Sequence, residues 1–471
     1  MRGYGERLHR TMHGRITIVF PRQRTHFLKQ GISCVSGTCV IGLQWGDEAK
    51  GKLVDLLTEQ HEIVVRYQGG ANAGHTVVIG PDTYKLSLIP SGILTPGVQC
   101  VVTGGVVINP PSLLAELDGL TARGIQIADN LMLSDRAHVI FPWHMIEDRT
   151  LDESTADGEN IGTTQRGIGP CYRDKVGRSY ALRLGDLLRP TLCDRIEHIV
   201  TAKQKILATF DNQTEDSLDA DRIVQEYTGY ADRLRPFIGN TTNFLLDAAE
   251  LDKHILFEGA QGALLDIDHG TFPFVTSSNS SGVGVPSGSG VPGSYMQRVI
   301  GVVKAYTTRV GGGPFPSEQD NDYGQHLRDR GNEYGTVTGR PRRCGWFDAV
   351  AARYTARLSG VTELAVMLLD VLSELKEINI CIGYEIEGQR TESFPSHVDD
   401  LRQVKPIFET LPGWQTDICD VRRLEDLPLH ARNYLDRISM YIRRPITYVS
   451  VGPERSQTIH CRLEPANCEL A

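Results

Sequence analysis

The sequence lacks several features that would assign a chain to a broad protein class. Its ten cysteines form no C-x-x-C pair and no zinc-like cluster with histidine, so neither a zinc site nor a disulfide framework is indicated. It contains no internal repeat, and no run of about 18 apolar residues that could form a transmembrane helix. We therefore expect a soluble protein of the reducing cytoplasm, with no membrane partner, whose cysteines are buried free thiols.

Positive charge is also scarce. The 49 Lys and Arg residues face 58 Asp and Glu residues, which gives a formal net charge of -9. A nucleic-acid surface needs a basic footprint, so no nucleic-acid partner is expected and any anion must be bound locally. The chain of 471 residues, 40% of them hydrophobic and 23% charged, is long enough for a large globular core.

The first 36 residues differ from the rest. Residues 1–36 carry seven Arg or Lys against the single acid Glu6, and they lack the apolar region and cleavage site of a secretory signal. A transit peptide and an upstream start codon, with Met12 as the alternative start, are both compatible with this pattern. We assign residues 1–36 to a basic N-terminal extension outside the fold, and residues 37–471 to one catalytic domain.

Apolar strand patterns alternate with helical patterns after this extension. Strands are predicted at residues 38–41, 62–67, 99–102, 254–258, 298–303, 363–369 and 447–451, and helices at 53–60, 348–358 and 429–441. This alternation predicts an α/β fold with a large, mainly parallel central sheet and flanking helical subdomains. Ligands of such sheets bind at the carboxyl ends of the strands.

A P-loop-like phosphate-binding loop follows the first predicted strand. Its G-x-x-x-x-G-K pattern runs from Gly46 through Gly51 to Lys52, a spacing typical of loops that bind phosphate through backbone N–H groups and a helix N-terminus. Leu53 stands where such loops carry the Ser or Thr that holds Mg²⁺. Asp47 is therefore the candidate magnesium ligand, because Mg²⁺ takes one or two carboxylates besides phosphate oxygens.

A second glycine-rich segment, residues 68–76, follows the next predicted strand and contains His75. A lone loop histidine is usually only solvated, but Asp47 and His75 together offer a base and an acid for proton transfer. Residues 162–170, 258–276 and 339–343 add hydroxyls, amides and arginines, and an arginine fork suits a carboxylate or phosphate. We interpret residues 277–293, rich in Ser, Gly and Pro, as a long active-site loop.

Several long motifs resemble those of the adenylosuccinate synthetase family, in the family's order. They lie at residues 42–48, 68–76, 161–170, 257–276, 308–318 and 331–346, and the resemblance extends from about residue 38 to the end of the chain. It implies a ligase that joins IMP and L-aspartate into adenylosuccinate, with GTP converted to GDP and phosphate through a 6-phosphoryl-IMP intermediate. This reaction is the first committed step from IMP to AMP. The resemblance also implies Mg²⁺ as the cofactor and a homodimer as the assembly.

The resemblance further implies roles for individual residues. Asp47 would be the base and His75 the acid, with Lys50 and Gln261 completing the catalytic set, and Mg²⁺ would be bound by Asp47 and the carbonyl of Gly74. The implied IMP positions are Asp47, Glu48, Ala49, Lys50, Asn72, Ala73, Gly74, His75, Thr164, Gln261, Thr276 and Arg340, with Arg178 lent to the neighbouring subunit's IMP site. The implied aspartate positions are Val310, Thr336, Val337, Thr338, Gly339, Arg340, Pro341 and Arg342. The implied GTP positions are Gly46, Asp47, Glu48, Ala49, Lys50, Gly51, Lys52, Gly74, His75, Thr76, Arg342, Leu368, Leu369, Asp370, Ser450, Val451 and Gly452.

The chain departs from the family pattern at Ala49, which replaces a glycine, at Val337, which replaces a threonine, at Pro341, which replaces a basic residue, and at Leu368. Leu368 stands in place of the lysine of a guanine-reading Thr-Lys-x-Asp element. The aspartate of that element is kept as Asp370, whose carboxylate can accept the two guanine N–H donors that adenine lacks.

Other hypotheses remain open at this point. A generic P-loop hydrolase or small-molecule kinase would turn over without aspartate, although Leu53 and His75 argue against it. A non-catalytic nucleotide-binding protein would bind GTP or IMP without turnover, although the presence of both Asp47 and His75 argues against that. A related enzyme acting on a 2-amino purine nucleotide is disfavoured, because such relatives lack the aspartate at the position of Asp47.

Overall fold

A computed structural model of the protein describes residues 37–79, 82–153, 163–210, 218–335, 339 and 341–466. The strands within these residues are β1 (Gly37–Gly42), β2 (Ile63–Arg66), β3 (His75–Ile79), β4 (Asp82–Leu86), β5 (Gln99–Val102), β6 (Val107–Ile108), β7 (Leu131–Ser134), β8 (His138–Val139), β9 (Ile238–Gly239), β10 (Ile255–Glu258), β11 (Met296–Lys304), β12 (Thr307–Arg309), β13 (Arg343–Gly345), β14 (Phe347–Asp348), β15 (Glu363–Met367), β16 (Glu377–Ile386), β17 (Gln389–Thr391), β18 (Lys405–Pro412), β19 (Ile446–Ser450) and β20 (Thr458–Leu463). The α-helices are α1 (Lys50–Thr58), α2 (Pro110–Ala122), α3 (Pro142–Glu153), α4 (Ile168–Gly177), α5 (Leu192–Leu207), α6 (Ala220–Leu234), α7 (Thr241–Glu250), α8 (Gly284–Ser289), α9 (Asp322–Arg330), α10 (Ala349–Leu358), α11 (Val398–Gln403) and α12 (Leu429–Ile442).

A 10-stranded sheet runs through the described part of the chain in the order β20-β19-β15-β11-β1-β10-β2-β5-β7-β9. All its neighbouring strands are parallel except β19 and β20, which pair antiparallel. Strands β1 and β2 are buried along their whole length, as expected for a parallel sheet covered on both faces. The predicted α/β fold with a large, mainly parallel sheet is confirmed.

Alternate residues of each central strand face different layers, because successive side chains of a strand point to opposite sides. Val40 of β1 packs in a cluster with Leu53 and Val54 of α1. Its neighbours Cys39 and Ile41 belong to the other cluster, which contains residues of α10 and α12. Helices on both faces thus hold the central strands in place, and the strand ends project toward one edge.

The element ends differ modestly from the prediction. The strand at residues 99–102 is as predicted, whereas α1 begins at Lys50 rather than at residue 53, because Ala49 in the left-handed region (φ 61°) already turns the chain into the helix. The segment 277–293 is not entirely a loop, since it contains α8. This helix is tied down by the carbonyl oxygen of Gly288, which accepts hydrogen bonds from Thr103 Oγ1 at 2.7 Å and Gly105 N at 3.0 Å.

The cysteines of the described chain are all free thiols, as expected, but not all are buried. Cys193 is exposed, and Cys419 and Cys461 are half-buried, so the expectation of burial is wrong for these three. Cys34 and Cys468 lie outside the described residues, as does the predicted extension 1–36. None of the helices in the described ranges combines the length and apolar composition that crossing a bilayer requires.

Candidate active site

The carboxyl ends of the parallel strands open into a cavity of about 1480 Å³. The lining loops follow β19, β15, β1, β10 and β2, which are neighbours in the sheet apart from β11 between β15 and β1. Because adjacent strands lie about 4.8 Å apart, the loop after β19 is about 14 Å from the loop after β1. A cavity this large exceeds the about 300–1,000 Å³ typical of a single small-molecule site, so it has room for more than one ligand.

The loop between β1 and α1 forms the floor of this cavity, and its backbone is sharply turned. Gly46 (φ 92°), Asp47 (φ 59°) and Ala49 (φ 61°) all adopt left-handed conformations. Aspartate tolerates this region better than most residues, whereas alanine seldom occupies it. The left-handed conformation at Ala49 is what the family's glycine at this position would adopt without strain.

The carboxylate of Glu48 stabilises this loop by hydrogen bonds to its backbone. Its side chain is fully buried, and Oε1 accepts hydrogen bonds from the backbone N–H groups of Gln44 (3.0 Å) and Gly46 (2.9 Å). Oε2 lies 2.5 Å from Nζ of Lys50, so the lysine is held at the cavity wall by a buried counter-ion. The carboxylate of Glu48 is therefore directed away from the cavity, and only its backbone remains for the predicted IMP and GTP contacts.

The loop after β10 packs tightly against this floor. A Cβ atom on Gly262 would stand 2.2 Å from the carbonyl oxygen of Gln44 and 2.5 Å from the backbone nitrogen of Gly46. Only glycine permits so close an approach of two backbones. Gly262 therefore holds Gln261 against the phosphate loop.

Asp47 is the carboxylate of the phosphate loop that reaches the cavity, with its side chain 40% exposed. Its Oδ2 lies 2.8 Å from Nε of Arg342, whose Nη1 lies 2.7 Å from Oε2 of Glu333. Glu333 Oε1 in turn accepts from Nζ of Lys304 and Oη of Tyr306, both at 2.5 Å. Burial would lower the pKa of Arg342, but Asp47 and Glu333 outweigh it and raise that pKa.

His75 is the first residue of β3, and it lies beside the buried carboxylate of Glu258. Its Nδ1 contacts Oε1 of Glu258, and its Nε2 lies 3.4 Å from Nη1 of Arg66. Burial lowers the pKa of His75, and the attraction of Glu258 only partly opposes this. Burial would raise the pKa of Glu258, but the positive charges of His75 and Arg66 and the donors of Ser91 lower it to about 2. The Glu258 carboxylate is thus an anion held between His75, Arg66 and Ser91.

Buried polar atoms without a partner mark other parts of the cavity wall. These atoms include Oε1 of Gln261, Oγ1 of Thr276 and Oδ1 of Asp370. Buried polar groups are normally hydrogen-bonded, so these atoms remain available to a polar ligand. Burial raises the pKa of Asp370. Gln261 adopts φ 55°, and its Nε2 lies 3.4 Å from Oδ1 of Asn72.

Lys52 links the floor to the loop after β19. Its Nζ donates to Oγ of Ser450 and the carbonyl oxygen of Gly452, both at 2.8 Å, and to the carbonyl oxygen of Gln457 at 3.3 Å. Burial lowers the pKa of Lys52 to about 8, although Asp370 raises it. The lysine of the G-K pair therefore bridges the phosphate loop and the predicted base-binding loop.

Most of the predicted site residues converge on this cavity. Those that line it are Gly46, Asp47, Ala49, Lys50, Gly51, Lys52, Asn72, Ala73, Gly74, His75, Thr164, Gln261, Thr276, Val310, Arg342, Leu368, Asp370, Ser450 and Gly452. They come from widely separated parts of the sequence. Their convergence follows from the parallel sheet, which brings the carboxyl ends of its strands to one edge.

The remaining predicted residues lie elsewhere. The side chains of Leu369 and Val451 are fully buried in the core, so only their backbones are free to contact GTP. Arg178 ends α4 with φ 66°, and it is exposed rather than part of the cavity wall; Gly339 and Pro341 are also exposed. Thr76 lies in β3, and the predicted aspartate residues Thr336, Val337, Thr338 and Arg340 fall outside the described residues.

The sequence did not single out the charged residues behind Asp47 and His75. Arg66, Glu258 and Lys304 each occupy the last position of an apolar strand, and Glu333 follows α9. A charged residue at the carboxyl end of a buried parallel strand is costly unless it is paired. These residues could have been found from the sequence by their position, because the last residue of a buried parallel strand lies at the ligand-binding edge of the sheet.

Comparisons with known proteins agree on one family. The sequence profile of the adenylosuccinate synthetase family matches residues 39–459. An adenylosuccinate synthetase of Caldanaerobacter subterraneus is 49% identical over 430 residues, which cover 91% of this chain and 100% of the relative. One of Streptococcus sanguinis is 48% identical over 425 residues, covering 90% of this chain and 98% of the relative.

Solved structures give the same result. A fully ligated adenylosuccinate synthetase of Plasmodium falciparum superposes with a TM-score of 0.84 at 38% identity, covering 90% of this chain and 99% of that one. A succinoaminodeoxyadenylate synthetase of cyanophage S-2L has a TM-score of 0.55 at 21% identity, which shows likeness of fold alone. The chain belongs to the adenylosuccinate synthetase family.

Proposed function

We propose that Asp47 and His75 are the base and the acid of a GTP-dependent ligation at this cavity. The chain joins IMP and L-aspartate into adenylosuccinate and uses GTP as the energy donor, a reaction of purine and AMP biosynthesis. The observation that carries the residue assignment is the meeting of an exposed carboxylate and a buried imidazole on loops that line the same cavity.

The reaction proposed for this site has two steps. Asp47 removes the proton from N1 of IMP, and the electron pair moves to the 6-oxygen, which attacks the γ-phosphorus of GTP. The bond between the γ-phosphorus and the β,γ-bridging oxygen breaks, and GDP leaves. The amine of L-aspartate then attacks C6 of the 6-phosphoryl-IMP and loses a proton, and phosphate leaves. Catalysis by this path relies on positioning and on charge neutralisation.

The layout of the sheet supports a division of the cavity into two halves. Asn72, Gln261 and Thr276 belong to loops after β2 and β10, on one side of the phosphate loop, and we assign this half to IMP. Asp370 and Ser450 belong to loops after β15 and β19, on the other side, and we assign this half to guanine. The γ-phosphate then meets IMP above the phosphate loop, beside Lys50 and His75.

Arg342 is the described residue best placed to bind L-aspartate. Its guanidinium lies beside Asp47 at the cavity wall, where its planar fork suits a carboxylate or a phosphate. Val310, with 61% of its side chain exposed, lines the same cavity. The amine of a bound aspartate would thereby be near the carbon that it attacks.

The same wall suits a magnesium ion carried by the nucleotide. Within the described residues there is no group of three or more His, Cys, Asp or Glu side chains that could hold a metal. Mg²⁺ does not need one, because it keeps several waters and takes phosphate oxygens besides one or two carboxylates. Asp47 and the carbonyl of Gly74 would hold it, and the ion would neutralise charge on the phosphates.

We also propose a homodimer in which Arg178 completes the partner's IMP site. Arg178 is exposed at the end of α4, next to Val176, whose side chain is 79% exposed. An Arg178→Met variant is expected to stay dimeric in sedimentation velocity while its KM for IMP rises at least about tenfold, the loss expected for a charge-assisted hydrogen bond. A normal KM would remove Arg178 from the IMP site. The free thiols of the described cysteines support the assignment to the cytoplasm.

The decisive experiment follows the near-ultraviolet absorbance as IMP becomes adenylosuccinate, with Mg²⁺ and either GTP or ATP. Phosphate release should require IMP and L-aspartate together, which a hydrolase or kinase would not. Asp47→Asn should abolish turnover but not folding, because asparagine tolerates the left-handed backbone at this position. Asp118→Asn, an exposed change on α2, is the matched control and should be fully active. An active Asp47→Asn enzyme would contradict the assignment of the base.

A further inference from the structure

The strongest unassigned feature is the buried guanidinium of Arg309, the last residue of β12. Its side chain is 1% exposed. Glu318, the carboxylate that attracts it, is bound by Arg343 instead, with 2.6 Å between Oε1 and Nε. Burial and the positive charge of Arg343 lower the pKa of Arg309 to about 9, so it is still a cation at neutral pH. Burying a cation without a paired carboxylate is costly, and the contacts of this side chain account for its presence.

The two terminal nitrogens of Arg309 join two loops of the cavity wall. Nη1 donates to the carbonyl oxygen of Pro314, in the loop after β12. Nη2 donates to Oγ1 of Thr271 at 3.2 Å and to the carbonyl oxygen of Phe274 at 3.3 Å, both in the long loop after β10. One side chain therefore holds two loops that come from different strands.

Arg309 lies immediately behind the wall of the cavity. Trp45 and Phe274 line the cavity, and the guanidinium carbon of Arg309 is 4.9 Å and 6.0 Å from the centres of their rings. Trp45 also donates from Nε1 to Oγ1 of Thr271 at 3.2 Å. Because a desolvated cation is attracted to the faces of aromatic rings, these contacts fix the guanidinium on the side that the hydrogen bonds leave open.

The loop after β12 is also held by Arg343, whose Nη1 donates to the carbonyl oxygen of Gly313 at 2.8 Å. A Cβ atom on Gly313 would stand 2.4 Å from Nη2 of Arg309 and 2.7 Å from Cγ of Phe274. Glycine thus lets this loop lie directly against the guanidinium. Val310, in the same loop, lines the cavity, so the loop is held from behind and faces the ligands in front.

We propose that Arg309 is a positioning residue that holds the aspartate loop, residues 310–314, and the IMP loop, residues 271–276, in one arrangement. The inference rests on the proposed function, which places IMP near Thr276 and L-aspartate near Val310. Arginine suits this task because its planar fork presents several donors in fixed directions, so that it binds oxygens on two loops at once. The amine of L-aspartate must attack C6 of the IMP intermediate from a defined position, and a displacement of either loop therefore impairs the reaction.

The test measures kcat and the KM values for L-aspartate, IMP and GTP in Arg309→Met and Arg309→Lys. Arg309→Met should raise the KM for L-aspartate at least about tenfold and the KM for IMP at least about threefold. The KM for GTP should change less than about twofold, because the proposed guanine half is formed by the loops after β15 and β19. Arg309→Lys retains the charge but not the fork, and should still raise the KM for L-aspartate at least about threefold.

Arg298→Met is the matched control. Arg298 lies near the amino end of β11, at the end of the sheet opposite the cavity, and its Nε donates to Oε1 of Glu363 at 2.6 Å. Its loss should lower Tm but leave the three KM values unchanged. If Arg309→Met does not fold, Thr271→Val removes one acceptor of the guanidinium. That variant should raise the KM values for L-aspartate and IMP by about threefold and leave the KM for GTP unchanged.

The outcomes separate this inference from the proposed function. A wild-type protein that forms no adenylosuccinate would overturn the proposed function itself. An active wild type together with unchanged KM values for L-aspartate and IMP in Arg309→Met, or in Thr271→Val where that variant is used, would overturn the positioning role. An equal rise in all three KM values would show that Arg309 only supports the overall structure, and full recovery in Arg309→Lys would show that charge alone suffices. Either result would overturn the positioning role as well.

Discussion

The backbone of the phosphate loop is strained at Ala49, and Ala49→Gly should therefore make the protein more stable. Ala49 precedes α1 with φ 61° and ψ 32°, in the left-handed region. An L-residue there is disfavoured by about 1–2 kcal/mol, because its Cβ crowds the following carbonyl oxygen. Glycine has no such clash.

Two smaller effects reduce the gain. Glycine loses more conformational freedom on folding than alanine, which costs about 0.5–1 kcal/mol. The half-buried methyl group of Ala49 also packs beside the cluster that contains Leu53, and losing that contact costs about 0.4 kcal/mol, half the value of a fully buried methylene. The net expectation is a gain of about 0.5 kcal/mol in the free energy of unfolding.

A matched substitution makes so small a number measurable. Ala202 lies inside α5 (Leu192–Leu207), where alanine to glycine costs about 1 kcal/mol. The two variants lose the same methyl group, but their stabilities should differ by about 1.5 kcal/mol, with wild type between them. Scanning calorimetry should show this as a separation of about 1.5 °C in Tm, because an unfolding entropy of about 2.1 cal/mol/K per residue amounts to about 1 kcal/mol/K for the 471 residues of this chain.

The result that would refute the reasoning is equal destabilisation by the two changes. Ala49 would then be free of left-handed strain, and its methyl group would matter only for packing. Titration with GTP provides a second check. Because the substitution removes no polar group from the phosphate loop, the affinity for GTP should be unchanged or higher, and a tenfold loss would show that the methyl group itself shapes the nucleotide site.

Further predictions concern charged residues of the cavity and one buried acid. Arg342→Met, which removes the partner of Asp47, should raise the KM for L-aspartate at least about tenfold in steady-state assays; an unchanged KM would exclude Arg342 from that site. Asp370→Asn should shift the preferred donor from GTP toward xanthosine triphosphate, and an unchanged base preference would place the guanine elsewhere. Burial raises the pKa of Asp348 to about 6, so its contribution to stability is fully present below about pH 4 and is lost as the pH rises through about 6. Urea unfolding should thus show Asp348→Asn gaining up to about 3 kcal/mol over wild type between pH 4 and pH 7, and a constant difference would argue against the raised pKa.

The phosphate loop shows how far sequence reasoning reached. The spacing of its glycines and lysine predicted a phosphate-binding loop with Asp47 as the candidate magnesium ligand. This was possible because the strand, loop and helix of a phosphate site are contiguous in the chain. The resemblance to the family implied ligand roles for Glu48 and Lys50. The structure adds that the two residues pair with each other and that Glu48 is buried as the acceptor for the loop's own N–H groups.

Hydrophobic periodicity determined the fold class and the order of the strands along the chain, because it is a local property of the sequence. The family was indicated by the resemblance of several motifs, in their order, to those of adenylosuccinate synthetases. Only the tertiary structure decided the order of strands across the sheet, and with it which loops share a cavity. The pairing of His75 with Glu258 and of Arg342 with Asp47 joins residues far apart in sequence. Such contacts depend on side chains from different loops meeting at the sheet edge, and no local sequence pattern encodes that meeting.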